Sequence, residues 1–307
     1  GIGDGLGLGI GALVGLASSP RPSHHTAISA ATTATSVTIC DPRRAAMAPT
    51  VPARRRGTLA PMARIWMPLP DHDFDVTEVA VPWKLAVEAG HEVVIATEAG
   101  AVPACDPRLL TGVLFGKLGA YPEPIAFYQE LAASPAFART VPWGVLDVAR
   151  FDGLILAGGH APGMRQYLGA PALHAQLARF WQLGRPVGAI CHGVLALARS
   201  VDPATGASVL RDARTTCLPK YMERSAYLLT FWKLGRYYRT YPAYVEDEVK
   251  AALADPAQQF ARGPRTTTRR GSRDDDTATF VVEDGRYVSA RWPGDAYAFA
   301  RAFLARL

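Results

Sequence analysis

Residues 185–198, Arg-Pro-Val-Gly-Ala-Ile-Cys-His-Gly-Val-Leu-Ala-Leu-Ala, pass from an apolar run into Cys191-His192 and then into a second apolar run with helical character. The first run predicts a fully buried strand over 186–190, the second a helix over 192–200. A nucleophile held at such a strand-to-helix turn occupies a strained backbone conformation, so its neighbours two residues away on either side must be small. Those neighbours are Ala189 and Gly193. The helix dipole at the thiol is expected to favour thiolate, the reactive form, and the backbone N–H of His192 is placed to stabilise an oxyanion. A buried cysteine after a core strand, packed as a small hydrophobe, is the alternative reading.

Two further segments bear on that choice. Phe151-Asp-Gly-Leu-Ile-Leu-Ala-Gly-Gly-His160 is a second apolar strand, ending in Gly158-Gly159, where backbone can approach a ligand closely. Gly159 is a candidate second oxyanion donor and His160 a candidate pocket residue. The alternatives are an ordinary strand-to-helix turn and a solvated loop histidine. Phe74-Asp-Val-Thr-Glu-Val-Ala-Val-Pro-Trp83 follows a short strand at 63–69. Thr77 is expected to cap the helix there, with Glu78 in its first turn. Glu78 then either complements the dipole or turns toward the site. Pro82 predicts a kinked or late-starting helix.

Strands at 63–69, 91–97, 153–157 and 186–190 alternate with helices at 76–89, 171–183 and 192–200, and strands near 279–291 and a helix at 295–306 close the chain. This alternation predicts an α/β fold, a doubly wound parallel sheet of flavodoxin-like type, with ligands beyond the carboxyl ends of the strands. Gly159, Cys191 and the loop leading to Glu78 fall there. Residues 105–147, with many prolines and a helix at 123–133, read as a cap insertion over the site or as a surface excursion. The aromatic-rich helix beginning at Tyr221 is expected to pack in the core or at a dimer contact, and residues 262–276 are expected to form a solvated loop.

The chain has 307 residues and a formal charge of +6, but residues 1–64 hold seven arginines against Asp4 and Asp41, so +5 of it lies in that segment. The near-neutral remainder argues against a nucleic-acid partner. Residues 1–62, rich in Gly, Ala, Ser, Thr and Pro, read as a disordered or non-native N-terminal extension preceding one domain over 63–307. The lack of an initiating Met, with Met47 and Met62 ahead of the first strand, suggests translated upstream sequence, a targeting presequence being the rival. The glycine-loaded opening is too short to span a bilayer, so no membrane association is expected, and without a preceding strand it is a weak match to a dinucleotide loop. Cys40, Cys105, Cys191 and Cys217 show no paired spacing, which points to a reducing, cytoplasmic compartment. No metal-ligand spacing stands out and no cofactor is implied. Asp71-His72-Asp73 reads as a polar loop.

Taken in order, Glu78 with Pro82, Ala-Gly-His-Glu-Val-Val-Ile-Ala-Thr at 89–97, Ala-Gly-Gly-His at 157–160, Ala-Ile-Cys-His-Gly at 189–193 and the closing Val-Val-Glu-Asp-Gly-Arg-Tyr-Val-Ser-Ala-Arg-Trp-Pro-Gly-Asp at 281–295 resemble the ThiJ/PfpI superfamily, a branch of the class I glutamine amidotransferase-like fold. The resemblance implies Cys191 as nucleophile, Glu78 as the carboxyl group at the thiol, the N–H groups of Gly159 and His192 as oxyanion hole, and the His192 side chain as base. It implies a cysteine-dependent hydrolase or lyase acting on a small carbonyl or amide substrate. Glyoxalase III or deglycase chemistry on α-oxoaldehydes and a thiol redox sensor or chaperone are the alternatives, and a homodimer is expected. All seven histidines lie at or before position 192, so a glutamine-hydrolysing triad with a later His is impossible. Where the glyoxalase III branch carries an acid, the stretch Thr215-Thr-Cys-Leu-Pro-Lys220 offers Lys220. Asp212 and Glu223 flank it and read as surface charges.

Overall fold

The strand that leads into Cys191, Val187–Ile190, lies inside a sheet, with Leu154↔Val187 and Val187↔Tyr287 in register on either side. This follows from its sequence, since Val187, Ala189 and Ile190 are buried and a parallel strand covered on both faces has no polar positions to offer. The computed structural model describes residues 62–239, 241–266 and 268–307. The chain divides into two units, 1–57 and 58–307, and the expectations for residues 1–61 lie outside the described residues.

Nine strands are present among the described residues: β1 (Arg64–Pro68), β2 (His72–Phe74), β3 (Glu92–Thr97), β4 (Ala104–Cys105), β5 (Val141–Pro142), β6 (Gly153–Leu156), β7 (Val187–Ile190), β8 (Val281–Asp284) and β9 (Tyr287–Ala290). Seven of them form one sheet in the order β5-β3-β1-β6-β7-β9-β8, and β2 pairs separately with β4. Every pairing in the large sheet is parallel except β8 with β9, so the expected doubly wound sheet carries an antiparallel hairpin at one edge. Helices cover both faces. Gly188 shows why one of them sits so close: a Cβ there would lie 2.9 Å from the Phe299 ring of the helix Ala296–Leu304.

The helix Val76–Glu88 begins where expected, but its cap is Asp75, not Thr77. The Asp75 Oδ1 accepts the N–H groups of Thr77 at 2.8 Å and Glu78 at 3.1 Å. Pro82 lies inside the helix without delaying its start, and it lacks the N–H that would bond the Glu78 carbonyl. The cap insertion 105–147 is divided in function. Asp106, Leu109, Val113 and Leu118 reach the cavity described below, whereas Phe127, Leu131, Phe137 and Trp143 are buried in the main core and Val141–Pro142 extends the sheet. No helix among the described residues is long and apolar enough to cross a membrane.

Candidate functional site

Cys191 follows β7 with φ +58°, a left-handed conformation that costs a non-glycine residue about 1–3 kcal/mol and persists only when its surroundings impose it. They do. The Cys191 N–H is tied to the Ala290 carbonyl at 3.0 Å, and the next helix, Gly193–Ala198, presses onto β6. A Cβ at Gly193 would lie 2.2 Å from the Leu156 carbonyl oxygen, so the smallness expected at this position is a backbone-to-backbone constraint.

Glu78 projects from the first turn of its helix into the same place and is fully buried. Its Oε2 accepts the Gly158 N–H at 2.8 Å, while Oε1 has no N–H or O–H partner among the described residues. The carboxyl also hydrogen-bonds the Cys191 thiol. Burial, reinforced by the neighbouring Asp75 carboxylate, pushes the Glu78 carboxyl well above the usual carboxylate range, and Asp75 itself is raised by burial. A neutral carboxyl group therefore stands against the thiol.

Burial works against the dipole-stabilised thiolate expected from the sequence. Burial, followed by the charges of Glu78 and Asp75, raises the Cys191 thiol well above its ordinary value, although a hydrogen bond from the His192 backbone opposes the shift. The helix behind it has only six residues, and its partial charge does not offset that desolvation.

His192 stands directly beside the thiol. Its Nδ1 lies 3.5 Å from the Cys191 Sγ, and its ring is fully buried with Nε2 unpartnered among the described residues. Burial, with His160 as the next cause, lowers its pKa well below the ordinary value, so the imidazole is held neutral. The His160 ring stands edge-on to it at 4.7 Å, itself lowered to about 4 by burial. Among the described residues no carboxylate hydrogen-bonds His192. Asp212 is exposed beside Arg211, as expected. Glu223 is a correction: it is buried and binds the Arg239 guanidinium at 2.9 Å and the Val245 N–H at 3.0 Å. Lys220 is another, since its ammonium pairs with Asp247 at 2.6 Å and it does not line the cavity.

Cys191, His160, Gly159 and Glu78 border a cavity of about 520 Å³. Gly159 permits its own close packing, because a Cβ there would meet the Asp73 carbonyl oxygen at 2.7 Å. The rest of the lining is largely apolar, with Leu109, Leu218, Met222, Leu228, Leu229 and Trp292 prominent. Several polar lining residues escaped the sequence reading. Asp106 caps the short helix Pro107–Thr111 and accepts the Tyr238 hydroxyl at 2.7 Å. Arg270 comes from the segment 262–276 read as solvated, and packs over Tyr121 and Trp292 at 4.9 and 5.4 Å. Of the two expectations for the helix Lys220–Leu234, core or dimer contact, core packing does not hold: Leu228, Leu229, Phe231 and Trp232 stay about half exposed, and the first two line the cavity. A polar loop at Asp71–Asp73 gives way to the short strand β2, with the Asp73 Oδ2 accepting the Gly163 N–H at 2.7 Å. His160, Cys191 and His192 form a group whose donor atoms lie within 4.8 Å of one another.

Residues 69–264, more than half of the chain, match the family model described as ThiJ/PfpI family-like. An uncharacterised protein of Schizosaccharomyces pombe is 27% identical over 263 residues, covering 82% of this chain and 86% of that protein. A deglycase of Pyrococcus abyssi is 27% identical over 231 residues, covering 75% of this chain and 92% of the relative. Among solved structures, glyoxalase III from Candida albicans superposes with a TM-score of 0.58 at 20% identity, covering 80% of this chain and 98% of that one, a likeness of fold.

Proposed function

The chain belongs to the ThiJ/PfpI family, and from that premise we propose that it is a Cys191-dependent enzyme acting on the reactive carbonyl of α-oxoaldehydes or of the adducts they form with amines and thiols. The observation that carries this reading is the thiol held in a strained turn 3.5 Å from a neutral imidazole, at the base of a cavity large enough for a substrate. The deglycase name of the Pyrococcus relative supports the substrate class.

The aldehyde carbon accepts the Sγ electron pair as the thiol proton passes to the His192 Nδ1, giving a hemithioacetal. The N–H groups of Gly159 and His192 receive the developing oxyanion. The imidazolium returns its proton to that oxygen; the carbon-bound hydrogen then moves as a proton to the adjacent carbonyl carbon by way of the freed imidazole while the hydroxyl proton passes to the adjacent oxygen, leaving a thioester of a 2-hydroxy acid. Water cleaves it and restores the thiol, so one water is added overall and no external oxidant or reductant is needed. Glu78, whose burial favours the neutral carboxyl, holds Gly158 in place beside the forming C–S bond.

The test is release of lactate from methylglyoxal by the full chain, with Cys191→Ala alongside and the thioester trapped for mass spectrometry. Turnover that is lost in the variant is expected. Equal turnover by both proteins, or none by either, overturns the reading.

A further inference from the structure

We propose that Cys191, His192 and His160 also form a binding site for a thiophilic divalent cation of which Zn²⁺ is the representative, seated between the thiol and the two imidazoles at the base of the cavity. Among the described residues these three form the one group of His, Cys, Asp or Glu donors gathered closely enough to share an ion, all donor atoms lying within 4.8 Å of one another. The geometry matches a tetrahedral ion on its best-defined edge. With Zn–S of about 2.3 Å and Zn–N of about 2.0 Å, two ligands at the tetrahedral angle stand roughly 3.5 Å apart. The Sγ of Cys191 and Nδ1 of His192 are 3.5 Å apart.

Closing the third ligand onto that edge, from separations of up to 4.8 Å to the ~3.3–3.5 Å of tetrahedral coordination, takes a shift of up to about 1.5 Å at His160. Cys191 and His160 both border the cavity, which gives an ion an entry path. A donor set of one sulfur and two imidazole nitrogens selects zinc-like ions over magnesium or calcium, which require oxygen ligands. Binding exchanges one bond for another: the S–H proton leaves to solvent as the metal–sulfur bond forms, and no electrons are transferred. The ion would engage the sulfur pair needed for attack, so a loaded site is a silenced one. This inference stands on the three side chains and does not depend on which carbonyl compound is the substrate.

Titration of the full-length reduced chain with Zn²⁺ and with Co²⁺ tests it, followed by calorimetry and by the near-ultraviolet thiolate-to-cobalt band. The expected result is a cobalt band that vanishes in Cys191→Ser. Affinity should fall in His160→Ala and His160→Asn by more than the ~10–100-fold that loss of even an outer-shell partner causes. Locating the signal by variant separates it from binding by His24, His25 and Cys40 elsewhere in the chain. A cobalt band that survives Cys191→Ser, or affinity unchanged in both His160 variants, overturns the proposal, as does the absence of any thiolate band at saturating Co²⁺. Circular dichroism of each variant confirms that lost binding is not lost folding.

Discussion

At the floor of the cavity an added methyl at Gly193 would lie 2.2 Å from a carbonyl oxygen, and one at Gly158 would lie 2.6 Å from the His192 nitrogen and 2.8 Å from Glu78 Oε2. On the wall, Leu228 keeps 51% of its surface exposed and Leu229 56%, and the helix that carries them buries little of itself. The floor is fixed by backbone meeting backbone, the wall by side chains with space around them. The floor accordingly holds the strained thiol and the ordered proton relay, and the wall is free to vary in shape. The turn that holds Cys191 and the apolar lining above it thus differ in rigidity.

The largest effects should come from breaking the floor. Cys191→Ala is expected to lower kcat by about a thousandfold or more, since nothing else at the site can form the covalent bond. Cys217→Ala provides the contrast, because that thiol is also buried and also raised by its burial. Activity per folded molecule should survive there, measured as lactate release after correcting for the folded fraction. If both substitutions abolish turnover equally, thiol position is not what distinguishes them.

Gly193→Ala is next. The clash is with the Leu156 carbonyl, where no side chain can rotate away, so the cost should exceed the ~1–3 kcal/mol usual for overpacking. Urea unfolding of this variant against the parent measures it. A loss below about 1 kcal/mol would show that β6 and the elbow helix separate easily.

Glu78→Gln sharpens the electrostatic side of the floor. The amide oxygen can still accept the Gly158 N–H, while the ionisable proton is gone. Because Glu78 is raised in the folded state, its contribution to stability is fully present below the ordinary carboxylate range and is lost as pH rises toward its folded value. Glu78→Gln should therefore match the parent near pH 4 and become progressively more heat-stable as pH increases. Its negative charge also raises the Cys191 thiol, so iodoacetamide alkylation should reach half its limiting rate at lower pH in Glu78→Gln than in the parent. Identical pH profiles in both proteins would remove Glu78 from the thiol's environment.

How much was visible in the sequence divides along the same line. Ala189, Gly193, Gly158 and the apolar strands announced the elbow because backbone constraints permit few residue types, and those types stand out in a short window. Pairing order beyond the βα alternation, the antiparallel β8 and the short β2–β4 pair depend on distant partners that no window contains. The raised thiol was missed for the same reason: local sequence shows a helix N-terminus, whereas the burial and the Glu78 and Asp75 carboxyls that outweigh it come from 113 or more residues away. Arg270 sits in a run of arginines and aspartates that reads as solvated, and only folding brings it over Trp292. Glu223 shows the reverse error, since a charge that looked exposed is buried against Arg239, a partner 16 residues on.

The smallest expected effect is on the wall, and it separates the two regions most cleanly. Leu229 lines the cavity while remaining half exposed, so a substrate tail lying against it buries only part of a leucine's worth of apolar surface. At roughly 25 cal/mol per Å² that contact contributes about 1 kcal/mol, or roughly five- to tenfold in kcat/KM. A cavity of about 520 Å³ falls within the ~300–1,000 Å³ of pockets that hold sizeable ligands, and methylglyoxal fills a small part of it. Leu229→Ser should therefore lower kcat/KM for phenylglyoxal by that factor and leave methylglyoxal unchanged, since a three-carbon substrate engages the floor alone. An equal loss for both would mean that the wall holds the floor in place, whereas no loss for either would mean that the substrate tail does not use this helix.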